Sequence, residues 1–128
     1  MPPGERKNIL VVDSDEDMLI ALEWLLDGEG YHVTTAWSGR ECLALLRSAK
    51  FDLVLLDDHL PDLNCREMLR ALHHEQNTTP VIVMHGVESK DNEVDQSLSW
   101  GACDVVNKQI PHEISQAINK CLLPVTLT

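Results

Sequence analysis

Five short runs of apolar, largely β-branched residues punctuate the chain: Asn8–Val12, Tyr31–Thr35, Asp52–Leu56, Val81–Met84 and Cys103–Val106. Between them, hydrophobic positions recur at helical spacing. Met18, Leu22, Leu25 and Leu26 mark one side of a helix over Glu16–Asp27, with Gly28 and Gly30 as its stop, and Gly39–Ser48 is a similar but shorter helix. Two more stripes follow, one at Cys65, Met68, Leu69 and Leu72, the other at Ile114, Ala117, Ile118 and Cys121, with Pro124 ending the last helix. The segment Asp91–Trp100 has the weakest pattern, because only Val94 and Leu98 form its stripe. Strands alternating with amphipathic helices predict an α/β fold on a parallel sheet. Leu53–Leu56 is apolar without alternation, as a central strand covered on both faces should be. Right-handed crossovers then give a doubly wound five-stranded sheet with its ligand crevice beyond the carboxyl ends of the strands.

Composition narrows the classes of partner. The chain has 128 residues, room for one ordinary core, and its 21 acidic against 10 basic residues give a net charge of −11. That charge repels nucleic acid and anionic membrane surfaces, so neither is expected as a partner. The four cysteines, Cys42, Cys65, Cys103 and Cys121, lie far apart, three of them on apolar stripes, and read as reduced core residues. No zinc-type Cys/His cluster is present. Residues 1–7 lead into the first strand without a long apolar stretch, and a reducing cytoplasm is the expected compartment.

The residues that follow the strands carry the candidate chemistry. Asp13, Asp57, His85 and Lys108 stand just beyond the first, third, fourth and fifth runs and can converge on one crevice. Two carboxylates near a lysine suit a hard cation such as Mg²⁺. A carboxylate is also a competent nucleophile toward phosphorus, provided that cations offset the charge of the transferring group. Acids after strands also serve as helix caps or turn formers, so the pattern alone leaves both readings open.

From about Asn8 to Leu122 the chain resembles the receiver domain of bacterial response regulators. Ile9-Leu10-Val11-Val12-Asp13 is similar to that family's first strand and acidic pocket. Gly30-Tyr31-His32-Val33, with Ala36 and Gly39, is similar to its second-strand signature. Asp57-Asp58-His59-Leu60-Pro61 matches the D-x-x-[LM]-P pattern around the phosphoacceptor, and Gly101-Ala102-Cys103-Asp104 followed by Lys108 resembles the fifth-strand entry and its lysine. The resemblance implies a flavodoxin-like (βα)5 sheet in the order 2-1-3-4-5. It also implies a receiver over residues 8–123, flanked by an N-terminal extension at 1–7 and a tail at 124–128. Asp57 would be the nucleophile, taking its phosphoryl group from a sensor histidine kinase, a phosphotransfer protein or a small acyl phosphate. Lys108 would contact a phosphoryl oxygen. Mg²⁺ would be held by Asp13, Asp57 and the His59 carbonyl. The fourth helix, fifth strand and fifth helix would form the surface read by an output protein or a second copy of the domain, with Trp100 either on that face or packed on the sheet.

Several positions depart from the family pattern. Ser14 stands where a second acid is usual, so a weaker Mg²⁺ site is expected unless Asp15 or water compensates, or else Ser14 caps the first helix with Asp17 three residues on. His85 replaces a hydroxyl residue; protonated, it could donate a comparable bond, yet its bulk could obstruct the pocket. Val105 replaces an aromatic switch residue, Gln109 replaces the proline after the lysine, and Cys65 replaces a glycine. Two other readings therefore stand beside the phosphoacceptor. One is a degenerate receiver that acts as a phosphorylation-independent interaction module. The other is a haloacid dehalogenase-type phosphatase, in which Asp13 of Val12-Asp13-Ser14-Asp15 would be the nucleophile.

Overall fold

The computed structural model describes residues 6–86 and 96–122. Its elements are β1 (Asn8–Val12), α1 (Glu16–Gly28), β2 (His32–Ala36), α2 (Gly39–Ser48), β3 (Leu53–Asp57), α3 (Cys65–His74), β4 (Val81–His85), the helical residues 96–99 (α4), β5 (Asp104–Asn107) and α5 (Pro111–Leu122). The strands form one sheet in the order β2-β1-β3-β4-β5, with every pairing parallel. That is the doubly wound, flavodoxin-like order expected.

Because successive side chains on a strand point to opposite faces, the apolar runs divide between two cores. Leu10, Val12, Val54, Leu56, Val81 and Val83 pack on one face against Cys42, Leu43, Leu46, Met68, Leu69 and Leu72 of α2 and α3. Ile9, Val11, Leu53, Leu55, Ile82 and Met84 pack on the other against Leu22 and Leu26 of α1 and Ile114, Ala117 and Ile118 of α5. All five residues of β3 are buried, which accounts for its unbroken apolar run.

Strands β2, β3 and β5 each begin one residue later than the apolar runs predicted and end one residue later. Pairing sets the bounds: Val12 lies opposite both Ala36 and Leu56, and His85 opposite Asn107. Gly30 supplies the turn after α1 with φ 95°, a conformation costly for a residue with Cβ. Gly28 itself is still helical.

Ser14 does not cap α1. Asp15 does, its side chain accepting from the Asp17 N–H at 3.0 Å, while the Asp15 N–H donates to Asp13 Oδ1 at 2.9 Å. The Asp13 carboxylate thus draws the chain one residue further before the helix begins. In α4 the predicted stripe is also revised. Leu98 points outward, 48% exposed, whereas Ser97 is 3% exposed, its Oγ 3.6 Å from Cys65 Sγ. The small Ser97 permits the close approach to α3 that a leucine would obstruct. Asp91, Val94, Pro124 and residues 1–5 lie outside the described residues. Trp100 packs against the α2–α3 core and under the Arg66 guanidinium, 5.8 Å from its centroid.

The cysteine reading is corrected as well. Cys42 and Cys65 are buried free thiols, but Cys103 and Cys121 form a disulfide. Helix α5 returns antiparallel to β5, which brings the last turn of the helix back to the entry of the strand.

Candidate functional site

The parallel register decides which side chains meet. Since Val12 pairs with Leu56, the next residues, Asp13 and Asp57, emerge side by side at the carboxyl edge of the sheet. Both are enclosed, 0% and 3% exposed. The Asp13 N–H is held by the Ala36 carbonyl at 3.1 Å and the Asp58 N–H by the Met84 carbonyl at 3.0 Å, so neighbouring strands fix both positions.

Lys108 reaches the pair from beyond β5. Its N–H donates to the His85 carbonyl at 3.0 Å, and the turn that follows is closed by Gln109 N–H to Asn107 Oδ1 at 2.9 Å and Ile110 N–H to the Asn107 carbonyl at 3.0 Å. These bonds position the loop without a proline at Gln109. Lys108 Nζ then donates to Asp13 Oδ2 and to Asp57 Oδ1, each at 3.3 Å. Gly86 lies against the lysine stem: a Cβ there would stand in ordinary contact, 3.4 Å from Lys108 Cε.

Around this triad is a crevice of about 290 Å³ lined by Asp13, Ser14, Asp15, Asp57, Asp58, His59, Gly86, Lys108 and Gln109. Of this lining, sequence reasoning had raised Asp15 as a compensating acid and Gln109 as a departure from the family's proline, but had given no role to Gly86, which flanks His85. It also missed Asp62, whose carboxylate accepts from the Gly39 and Arg40 N–H groups, both at 2.9 Å, and so ties the loop after Asp57 to the first turn of α2. Asn64 closes that loop with a capping box on α3.

Two buried carboxylates and one ammonium leave the crevice with excess negative charge. Burial, then the Asp13 carboxylate, push the Asp57 carboxyl up from its ordinary range to about 6, against the opposing pull of Lys108 and of the His59 N–H. Burial acts against the charge on Lys108, yet the carboxylates of Asp57 and Asp13 outweigh it and raise its pKa. The two directions agree: Lys108 faces two carboxylates, whereas Asp57 shares its one lysine with a second acid.

His85 is placed differently from the other candidates. Its carbonyl holds Lys108, while its ring Nδ1 lies 3.4 Å from the Gly86 carbonyl and the side chain does not line the crevice. Ser14 and His59 do line it. Among the described residues no group of three or more His, Cys, Asp or Glu side chains is disposed to hold a metal ion. The carboxylates of Asp13 and Asp57, the His59 carbonyl and the Ser14 hydroxyl offer hard oxygens at the crevice, and Mg²⁺ is commonly bound through one or two carboxylates with water completing its shell. Chemically the crevice fits such an ion, and its excess negative charge favours one.

A buried carboxylate beside an acid and a lysine, at the carboxyl edge of a doubly wound sheet, is an arrangement that can accept a phosphoryl group. Comparison identifies the family: residues 9–119 match the response regulator receiver domain, and the chain belongs to it. It is 34% identical over 119 residues to the alkaline phosphatase synthesis transcriptional regulatory protein PhoP of Bacillus subtilis (strain 168), covering 91% of this chain and 48% of that protein. It is 37% identical over 114 residues to the uncharacterized transcriptional regulatory protein YkoG of the same organism, covering 89% and 49%. The chain thus spans about half the length of these curated relatives. Among solved structures it resembles a CheY-like response regulator receiver domain protein from Methanospirillum hungatei JF-1, with TM-score 0.82, 33% identity, and coverage of 92% of this chain and 94% of that one. Membership in the receiver family leaves the phosphatase-like motif at Asp13 without a fold to support it. No helix among the described residues is long and apolar enough to cross a membrane.

Proposed function

We propose that this receiver accepts a phosphoryl group on Asp57 and signals that state through a protein surface. One observation carries the reading: Lys108 Nζ stands 3.3 Å from both Asp57 Oδ1 and Asp13 Oδ2 inside the crevice. In the transfer, an Asp57 oxygen bonds to phosphorus as the bond from phosphorus to the donor, a phosphohistidine nitrogen or an acyl oxygen, breaks. Lys108 follows the incoming charge and binds a phosphoryl oxygen. Bound Mg²⁺ would neutralise further phosphoryl charge, held by Asp13, Asp57 and the His59 carbonyl, with Ser14 as a neutral donor. His85 can replace the family's hydroxyl only after its ring turns from the Gly86 carbonyl toward the crevice.

The donor is a sensor histidine kinase or phosphotransfer protein, and the domain acts in the cytoplasm beside it. The signal leaves through α4, β5 and α5 to an output protein or a second copy of the domain, over a folded unit spanning residues 8–123. With Val105 on β5, no aromatic ring transmits it. Incubation with acetyl phosphate and Mg²⁺, followed by intact-mass measurement, should add one phosphoryl group to the native protein and none to Asp57→Asn. An unlabelled native protein, under conditions that label an ordinary receiver, would favour the degenerate interaction module instead.

A further inference from the structure

The four cysteines divide into two chemical kinds. Cys42 and Cys65 are buried in the core, and burial pushes the Cys42 thiol up to about 12 and the Cys65 thiol up as well, which leaves little thiolate for reaction. Cys103 is exposed at the entry of β5, and Cys121 is half-buried in the last turn of α5. Their Cα atoms are 6.4 Å apart, within the span a disulfide bridges without backbone movement.

The location of the bridge gives it a consequence. Its ring closes over 18 residues of sequence and contains β5, Lys108 and α5 up to Cys121. As an edge strand, β5 is paired only with β4, so the sheet holds it from one side. At the end where the bridge lies, β5 and α5 also share the partly exposed ion pair of Lys120 with Asp104 at 3.6 Å, of a kind that contributes little. The acceptor crevice is at the opposite end of the strand.

We infer that Cys103 and Cys121 form a reversible thiol–disulfide site that takes a small disulfide of the oxidised-glutathione class as co-reactant and, when oxidised, fastens β5 to α5. The Cys103 thiolate attacks one sulfur of the small disulfide, forming a mixed disulfide and releasing the first thiol. The Cys121 thiolate then attacks Cys103 Sγ and expels the second. Two protein thiols are oxidised, one small disulfide is reduced to two thiols, and the two protein protons pass to the released thiolates. Exposure makes the bond open to the reverse attack, and in a reducing compartment the pair rests as thiols. The mobility of the β5–α5 unit then follows the local thiol–disulfide balance. Its bearing on output rests on the surface proposed above; the chemistry does not.

The test compares the full chain after equilibration in reduced or oxidised glutathione, in the native and Asp57→Asn forms. Oxidation should protect two of the four cysteines from alkylation, with peptide mapping joining Cys103 to Cys121. It should slow amide hydrogen exchange in α5 by at least about tenfold in both forms, because the cross-link suppresses local opening. Dithiothreitol should reverse both effects, and Cys103→Ser and Cys121→Ser should each abolish them. A stable glutathione adduct on Cys103 with Cys121 still free would overturn the inference. So would a disulfide that leaves α5 exchange unchanged. Success in Asp57→Asn keeps this result independent of the phosphoacceptor reading.

Discussion

The ends of β1 and β3 and the ends of β4 and β5 border the same crevice, yet they are built to different rules. On the β1–β3 side Asp13 and Asp57 are buried, held by strand hydrogen bonds and aligned by register, so little freedom remains. On the β4–β5 side Lys108 reaches the two acids; the His85 ring lies against Gly86, Val105 carries no ring, and the edge strand is tied to α5 by a disulfide. The difference separates two tasks. Under the proposed function, accepting a phosphoryl group draws on the first set plus Lys108 and reporting it on the second; Asp13, Asp57 and Lys108 match the receiver pattern, whereas Ser14 on one side and His85, Val105 and Gln109 on the other depart from it.

The largest effect should come from the residue that joins the two sides. Lys108→Ala removes the charge that faces the phosphoryl group and should slow labelling by acetyl phosphate about a hundredfold or more, read as the initial rate by mass spectrometry. A rate within twofold of native, about 0.4 kcal/mol, would mean that the lysine serves packing only.

Next in size is the bridge on the β5 side. Cys121→Ser should lower unfolding free energy, measured by urea titration under oxidising conditions, by about 3 kcal/mol, and should change it little under reducing conditions. An equal loss in both conditions would assign the effect to packing of the half-buried side chain.

The acidic side can be read through pH. The Asp57 carboxyl titrates at about 6 when folded and near 3.8 when unfolded, so between these values the folded protein binds more protons. Its stability contribution is therefore present below the unfolded value and is lost as pH rises toward the folded one. Asp57→Asn removes that loss and should be more stable than native at pH 7.5 by roughly 1–3 kcal/mol, with the advantage vanishing near pH 4. Mg²⁺ should narrow the gap by stabilising the native form alone. A variant less stable than native at pH 7.5 would contradict the excess negative charge assigned to the crevice.

The smallest change concerns the metal. Ser14→Asp adds a carboxylate at the crevice rim and should tighten Mg²⁺ binding severalfold by calorimetry. Unchanged affinity would place Ser14 outside the ion's reach.

Much of this arrangement was legible in the sequence. Unbroken apolar runs such as Ile9–Val12 divide between two helical layers because successive side chains point to opposite faces, so strand order and core followed from pattern plus family resemblance. Asp13 and Asp57 were legible because each directly follows an apolar run, and Lys108 because it stands two residues beyond one. The bridge was not, because Cys103 and Cys121 become neighbours only through the return of α5 along β5. Nor was the cap at Asp15, which depends on the Asp13 carboxylate capturing a backbone N–H. Ser97 in place of Leu98 depended on contact with Cys65, which no periodicity records.

The most direct measurement maps the phosphoryl group itself. Borohydride cleavage of an acyl phosphate converts the acceptor aspartate to homoserine, and peptide sequencing locates it. The account predicts homoserine at position 57 in acetyl phosphate-treated native protein, lost in Asp57→Asn and strongly reduced in Lys108→Ala. Homoserine at position 13 or 58, or at no position, would contradict it.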